Sequence, residues 1–202
     1  VISEKDLRQL YSKNKKSANQ IAKLLSCSPT KVNYWLQKYG IEKRSISDAV
    51  YIKENPNGDP FSFKNPTTTN QWFLYGLGLG LFWGEGNKMN RNAVRLGNTD
   101  PALIKFFLKF LTEIYQIDTQ RLRFGLQVFN DSDPVKAKKF WQEKLQIEEN
   151  QFQKVVITPA RAQGTYRRKN HHGVLTVYFS NTKLRDMIVG AMTELQEEKM
   201  PS

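Results

Sequence analysis

Four glycines crowd one apolar helical stretch, and no other feature of the chain constrains its fold as tightly. The run Phe73-Leu74-Tyr75-Gly76-Leu77-Gly78-Leu79-Gly80-Leu81-Phe82-Trp83-Gly84-Glu85-Gly86 has a helix-like apolar density, yet each glycine inside a helix costs about 1 kcal/mol relative to alanine. Some other contact must offset that cost. Gly76, Gly80 and Gly84 recur every four residues, so a helix carries them on one face and a second helix can approach backbone to backbone. The helix then ends on a carboxylate, Glu85, at that close-packed seam. A purely structural glycine-rich core helix is the plainer alternative. Two phosphate-binding readings fail on spacing. A dinucleotide fingerprint starting at Gly78 needs glycine where Trp83 stands, one starting at Gly76 needs it where Leu81 stands, and a P-loop Gly-Lys-Ser/Thr is absent.

Three prolines (Pro56, Pro60 and Pro66) and the run Thr67-Thr68-Thr69 break helix over a turn-rich stretch. This predicts a linker at 52–69 between a module at 1–51 and a larger domain at 70–202. In the module, Leu7, Leu10 and Tyr11 have helical spacing, and Ile21, Ala22, Leu24 and Leu25 form a second apolar face. Ser28-Pro29 is a preferred cap and first-turn pair. It opens a third helix through Val32, Trp35, Leu36 and Tyr39 that Gly40 stops. Three short helices with a tight turn before the last form a helix-turn-helix pattern.

Beyond the linker, a helix at 70–84 precedes a strand near 93–97. Asn98-Thr99-Asp100-Pro101 opens a helix with Leu103, Phe106, Phe107, Phe110, Leu111 and Ile114 on one face. The strand 121–129 alternates, with Leu122, Phe124, Leu126 and Val128 on one side and Arg121, Arg123 and Gln127 on the other. Asp133-Pro134 opens another helix, strands follow near 152–158 and 173–180, and a last helix carries Leu184, Met187, Ile188, Ala191 and Leu195. The expected fold is α+β: a three-helix helix-turn-helix module, then an antiparallel sheet backed by helices. Val94-Arg95-Leu96-Gly97-Asn98-Thr99 is echoed by Val177-Tyr178-Phe179-Ser180-Asn181-Thr182. Either Asn and Thr merely cap two unrelated helices, or a strand-and-helix unit is repeated.

Over 78–86 the chain resembles the LAGLIDADG homing endonucleases. Gly80, Leu81, Glu85 and Gly86 match that family's motif, Phe82 and Gly84 are conservative, and Gly78, Leu79 and Trp83 depart from it. The resemblance implies an αββαββα domain, here with an insertion in the enlarged segment 130–172. It implies a motif helix packed against its twin at a two-fold axis, with the acid before the final glycine, Glu85, holding the catalytic metal. A chain with one motif would work as a homodimer on double-stranded DNA, hydrolysing phosphodiesters with Mg²⁺ (or Mn²⁺) held by Glu85 of each subunit. Metal ions neutralise phosphate charge and acidify an attacking water, so such a site needs no histidine base, in keeping with a chain that has two histidines. Lys154, Arg161 and Lys183 are candidates for the basic residue that family members place near the scissile phosphate.

Charge points to the same class of partner. With 31 Lys and Arg against 19 Asp and Glu the net charge is +12, which predicts an anionic partner. Membrane is disfavoured, since the longest apolar run, 72–83, is shorter than the roughly 20 residues of a span. The single cysteine, Cys27, rules out an internal disulfide, leaves no zinc spacing, and predicts a reducing, cytoplasmic setting. Segment 151–185 holds Lys154, Arg161, Arg167, Arg168, Lys169, Lys183 and Arg185 and no acid. Arg167-Arg168-Lys169 reads as a phosphate clamp or a solvated turn. The outward face of the strands holds Arg95, Arg121, Arg123, Gln127 and Tyr178, and Arg and Gln at period two suit a sheet face laid in a major groove; the alternative is an ordinary solvated face. Thr30, Lys31, Asn33 and Tyr34 would face DNA from the recognition helix. Three readings remain: a sequence-specific endonuclease, a non-cleaving DNA-binding regulator of the same fold, and an RNA splicing partner for an intron.

Overall fold

Serine caps set the helices of the N-terminal part. The structure, a computed structural model, describes residues 1–159 and 171–197, and the chain divides into two units, Val1–Asp59 and Pro60–Ser202. In the first, α1 (Glu4–Leu7) runs into a π-helical segment (Arg8–Lys13) and is followed by α2 (Ala18–Leu24), α3 (Pro29–Lys38) and α4 (Ile46–Glu54). Ser17 and Gln20 close a capping box, and the Ser28 hydroxyl accepts from the Lys31 amide at 3.2 Å with Pro29 in the first turn. Ile2, Leu7, Tyr11, Ile21, Ala22, Val32, Leu36 and Ile41 form the core. The α2–α3 turn holds Ser26 at φ +48°, a conformation that costs an L-residue roughly 1–2 kcal/mol. α4 is a fourth helix that the apolar pattern does not predict, because it buries no residue. Arg44 ties the unit together: its guanidinium lies 4.1 Å from the Tyr11 ring and donates to the carbonyls of Tyr11 and Lys15 at 3.2 and 2.7 Å.

The second unit is mixed α/β, with α5 (Thr69–Glu85), β1 (Val94–Asn98), α6 (Pro101–Glu113), β2 (Arg123–Phe129), α7 (Pro134–Leu145), β3 (Val156–Thr158), β4 (Val174–Phe179) and α8 (Thr182–Glu197). Asp100-Pro101 and Asp133-Pro134 start α6 and α7 as their sequences predict. The stretch 52–69 is not linker throughout. Residues 52–54 end α4, while the Ser62 and Lys64 amides donate to the Tyr115 and Ile114 carbonyls at 2.9 and 2.8 Å. Phe61 packs against the core, and the Phe63 ring lies 5.3 Å from that of Tyr115; two aromatic anchors outweigh the flanking prolines.

The four-stranded sheet has the order β1-β4-β2-β3. It is mixed, not antiparallel as expected: β2 pairs with β3 in parallel, while β4 is antiparallel to both β1 and β2. The connection through α7 is the cause, since a crossover of this length returns the chain in the same direction. The echoed strands lie side by side, Val94 opposite Phe179 and Leu96 opposite Val177. Each leads into a helix through an asparagine whose Oδ1 accepts backbone amides: Asn98 from Thr99 and Asp100, Asn181 from Leu184. Val94, Leu96, Phe124, Leu126, Val128, Leu175, Val177 and Phe179 face the helices and build one core with them. Among the described residues, no helix covers the opposite sheet face.

Phe110 of α6 fixes the orientation of α5. A Cβ at Gly78 would lie 2.1 Å from the Phe110 ring, and Phe82 stacks on Phe107 at 6.1 Å. The absence of a side chain at Gly78 is therefore what lets the two helices meet. Gly78→Ala is expected to destabilise this unit by about 1–3 kcal/mol through overpacking. Gly190→Ala in α8, where a Cβ meets nothing within 4 Å, should stabilise it by about 1 kcal/mol. Urea denaturation followed by tryptophan fluorescence checks both.

Candidate nucleic-acid interface and carboxylate site

The other three glycines of α5 have no such partner. A Cβ at Gly76, Gly80 or Gly84 meets nothing within 4 Å, so the face they define is an open groove. Large aromatic side chains flank it, with Trp72 57%, Phe73 65% and Trp83 45% exposed. Leu77 and Leu81 are only half-buried.

At the end of this helix Gly86 has an extended conformation and bridges to Leu96, and the Asn87 amide donates to the Arg95 carbonyl at 2.8 Å. The chain thus passes from α5 straight onto the sheet edge. Glu85 lies at the junction, exposed, and its carboxylate has no hydrogen-bond or ion-pair partner among the described residues. The Lys88 ammonium donates to the Trp83 carbonyl, as suits the negative end of a helix. Arg185 of α8 holds the same loop, its Nη2 donating to the Lys88 carbonyl at 2.6 Å and its Nη1 pairing with Asp186 at 2.9 Å. Arg185 Nε is buried and, among the described residues, unpartnered. Nothing in the sequence marks Lys88 and Arg185 as holding the loop that follows Glu85, except that the echo could have pointed to Arg185, since it lies one turn after Asn181.

Of the candidate basic residues, Lys154 is exposed in the extended stretch before β3 and Lys183 in the first turn of α8. Arg161, Arg167, Arg168 and Lys169 lie outside the described residues. No group of three His, Cys, Asp or Glu converges among the described residues. Glu85 therefore offers a cation one unpaired oxygen ligand set per chain. That fits a hard divalent ion that keeps several waters and takes one or two carboxylates, and falls short of a self-contained metal cage.

The open sheet face is ordered in rows across the strands. Arg95, Tyr178 and Arg123 form one row, and Gly97, Thr176 and Gly125 the next. Val174, Gln127 and Val156 form a third. Arg121 is not on this face as expected. It ends a 3-10 turn, Thr119–Arg121, that Asp118 caps by accepting from the Gln120 amide at 3.1 Å, and β2 starts only at Arg123. Arg123 Nη1 donates to the Gln120 and Leu122 carbonyls, both at 2.7 Å, and Gln127 Nε2 donates to Thr158 Oγ1 at 2.8 Å.

In the first unit, Thr30, Lys31 and Tyr34 are exposed on α3, and Asn33 is half-buried beside buried Val32. Gln37 and Lys38 extend the exposed side, Lys38 Nζ lying 4.7 Å from the Trp35 ring. Both lie beyond the first turn and a half of α3, where the sequence places the DNA-facing residues. An open surface depression of about 490 Å³ beside the α2–α3 turn is lined by Asn19, Ala22, Lys23, Ser26, Cys27 and Pro29 and brings no catalytic group together.

Comparison with protein families, with curated proteins and with solved structures finds no match to this chain. Among the described residues, no helix is long and apolar enough to cross a membrane.

Removing the Arg185 anchor tests how this loop is held. In Arg185→Ala, the amides of Asn87, Asn90, Asn92 and Ala93 should exchange about tenfold faster or more, the loss of a charged hydrogen bond being worth about 1.5–3 kcal/mol. Hydrogen exchange resolved by residue reads this directly.

Proposed function

We propose that the chain is a sequence-specific double-stranded DNA endonuclease that works as a homodimer, joined through α5 and contributing one Glu85 per subunit. The observation that carries this reading is the open glycine groove of α5, rimmed by exposed aromatic rings and ending on an unpaired carboxylate. Three glycines without contacts cost about 3 kcal/mol in a helix, and nothing among the described residues offsets that cost. A second α5 laid in the groove would do so. Burying exposed Trp72, Phe73 and Trp83 adds roughly 1.5–3 kcal/mol for each large side chain fully covered.

The element order agrees with the resemblance to the LAGLIDADG homing endonucleases. Taking the bridge at Gly86 as a first short strand and α7 with β3 as the insertion, the remaining elements read αββαββα. In this arrangement two Glu85 carboxylates would meet at the dimer axis and, with substrate phosphate oxygens, complete the ligand set of Mg²⁺ or Mn²⁺. When bound, the ion neutralises phosphate charge and lowers the pKa of an attacking water. Glu85 would hold the ion, and Lys88 and Arg185 hold the loop that follows. The sheet face with Arg95, Arg123 and Gln127 would lie against the groove of the DNA. The first unit, with Thr30, Lys31, Asn33 and Tyr34 on or beside the exposed side of α3, would extend the recognised site as a helix-turn-helix.

The test is cleavage of a duplex selected from a random library by the protein itself, with Mg²⁺ present. Wild type is expected to cut both strands, and Glu85→Gln to lose cleavage with affinity equal or higher. Affinity should fall with salt at a log-log slope of about −0.9 per phosphate contact. A wild type that binds its selected duplex and never cuts it would make the chain a DNA-binding regulator instead.

A further inference from the structure

The sequence offers four side chains of one face as equal candidates for reading bases: Arg95, Arg121, Arg123 and Gln127. The structure separates them. Arg121 leaves the strand for the preceding turn. Arg123 turns Nη1 of its guanidinium back onto the Gln120 and Leu122 carbonyls. Gln127 gives its amide to Thr158 across the parallel strand pair. Arg95 alone of the four has a guanidinium with no hydrogen bond or ion pair among the described residues, and it is not loose: its Cζ lies 4.9 Å from the centroid of the Tyr178 ring, directly across the strand.

The Tyr178 ring is itself held down. A Cβ at Gly125 on the neighbouring strand would stand 2.9 Å from Tyr178 Cε2 and 3.2 Å from its hydroxyl oxygen, so the ring occupies the space that any other residue at 125 would fill. Tyr178 therefore leans across the sheet onto Gly125 instead of standing upright. Gln153 Oε1 closes the same space, 3.4 Å from where that Cβ would be. The result is a chain of contacts from Gly125 through Tyr178 to Arg95.

An arginine stacked on an aromatic ring keeps its five donors and loses rotamer freedom before any partner arrives. Such a fork suits the O6 and N7 acceptors that guanine displays in the major groove. We propose that Arg95 reads one guanine of the target duplex, and that Tyr178 and Gly125 are positioning residues that aim it. This rests on the reading that the open sheet face binds DNA. A solvated arginine would serve equally well on any strand, whereas a stacked one over a glycine slot has a definite direction, and direction is what base discrimination requires.

The experiment selects duplexes from a random library with the full chain and with six variants, and measures salt dependence of binding for each. Wild type should select a site with one position confined to guanine. Arg95→Ala should relax that position alone, discrimination falling about tenfold or more, the range of a lost bidentate contact. Tyr178→Phe keeps the ring and should keep the preference. Tyr178→Ala and Gly125→Val should relax the same position while leaving the salt slope as in wild type, because neither removes a phosphate contact. Should Gly125→Val fail to fold, Tyr178→Ala against Tyr178→Phe carries the same comparison. If every base preference survives Arg95→Ala, or if the guanine position answers to Arg123→Ala instead, the inference is overturned while DNA binding by this face stands. If Arg95→Ala, Arg123→Ala and Gln127→Ala combined leave both affinity and selected sequence unchanged, the sheet face is not the DNA surface, and the inference falls with that reading.

Discussion

A phenyl ring occupies the space that a side chain would need at Gly78, and that contact decides which way α5 faces. With Phe110 seated there and Phe82 stacked on Phe107, one side of the helix is committed to the core. Gly76, Gly80 and Gly84 are then turned outward with Trp72, Phe73 and Trp83. The same seating delivers the end of the helix to the sheet edge, where Gly86 bridges Leu96 and leaves Glu85 exposed between the helix and the strands. Core packing, the open groove and the position of the carboxylate are thus consequences of one close approach.

The sheet carries the second half of the structure. Its inner face is apolar and continuous with the helices, and its outer face is free to carry polar side chains in rows. The two echoed strands lie side by side and run in opposite directions, so the helices they launch leave from opposite ends of the strand pair. Arg185 of the second helix returns to the loop after α5, which links the echo to the surroundings of Glu85. The chain carries a net charge of +12, its sheet has a polar outer face, and Glu85 is exposed at the junction of α5 with the sheet edge.

What could be read in the sequence was local. Ser28-Pro29, Asp100-Pro101 and Asp133-Pro134 start helices because a capping side chain and a fixed φ act within one turn. The period-two apolar pattern of β2 needs only its own strand, although its first residue, Arg121, was drawn into the Asp118 turn. Pairing direction was not readable, because the parallel partner of β2 is chosen by a crossover through α7 and not by either strand. Nor could Gly78 be told from the other glycines of α5, since the difference lies in Phe110 on another helix. The contacts of Arg44, Lys88 and Arg185 were not readable for a common reason: each donates to main-chain carbonyls, and a carbonyl has no signature in the sequence. Glu85 was visible because an acid ending a glycine-rich helix is an exception to everything around it.

The most direct test of a dimer built on α5 is a cross-link across its groove. With Cys27→Ser removing the only native thiol, Gly80→Cys should yield a disulfide-linked dimer on mild oxidation, because only helices in backbone contact bring two such Cα atoms within the 4.4–6.8 Å a disulfide usually spans. Lys105→Cys, on the exposed side of α6, should not. A covalent dimer through position 80 alone is the predicted result, and its absence, or equal cross-linking at both positions, would contradict pairing through this helix.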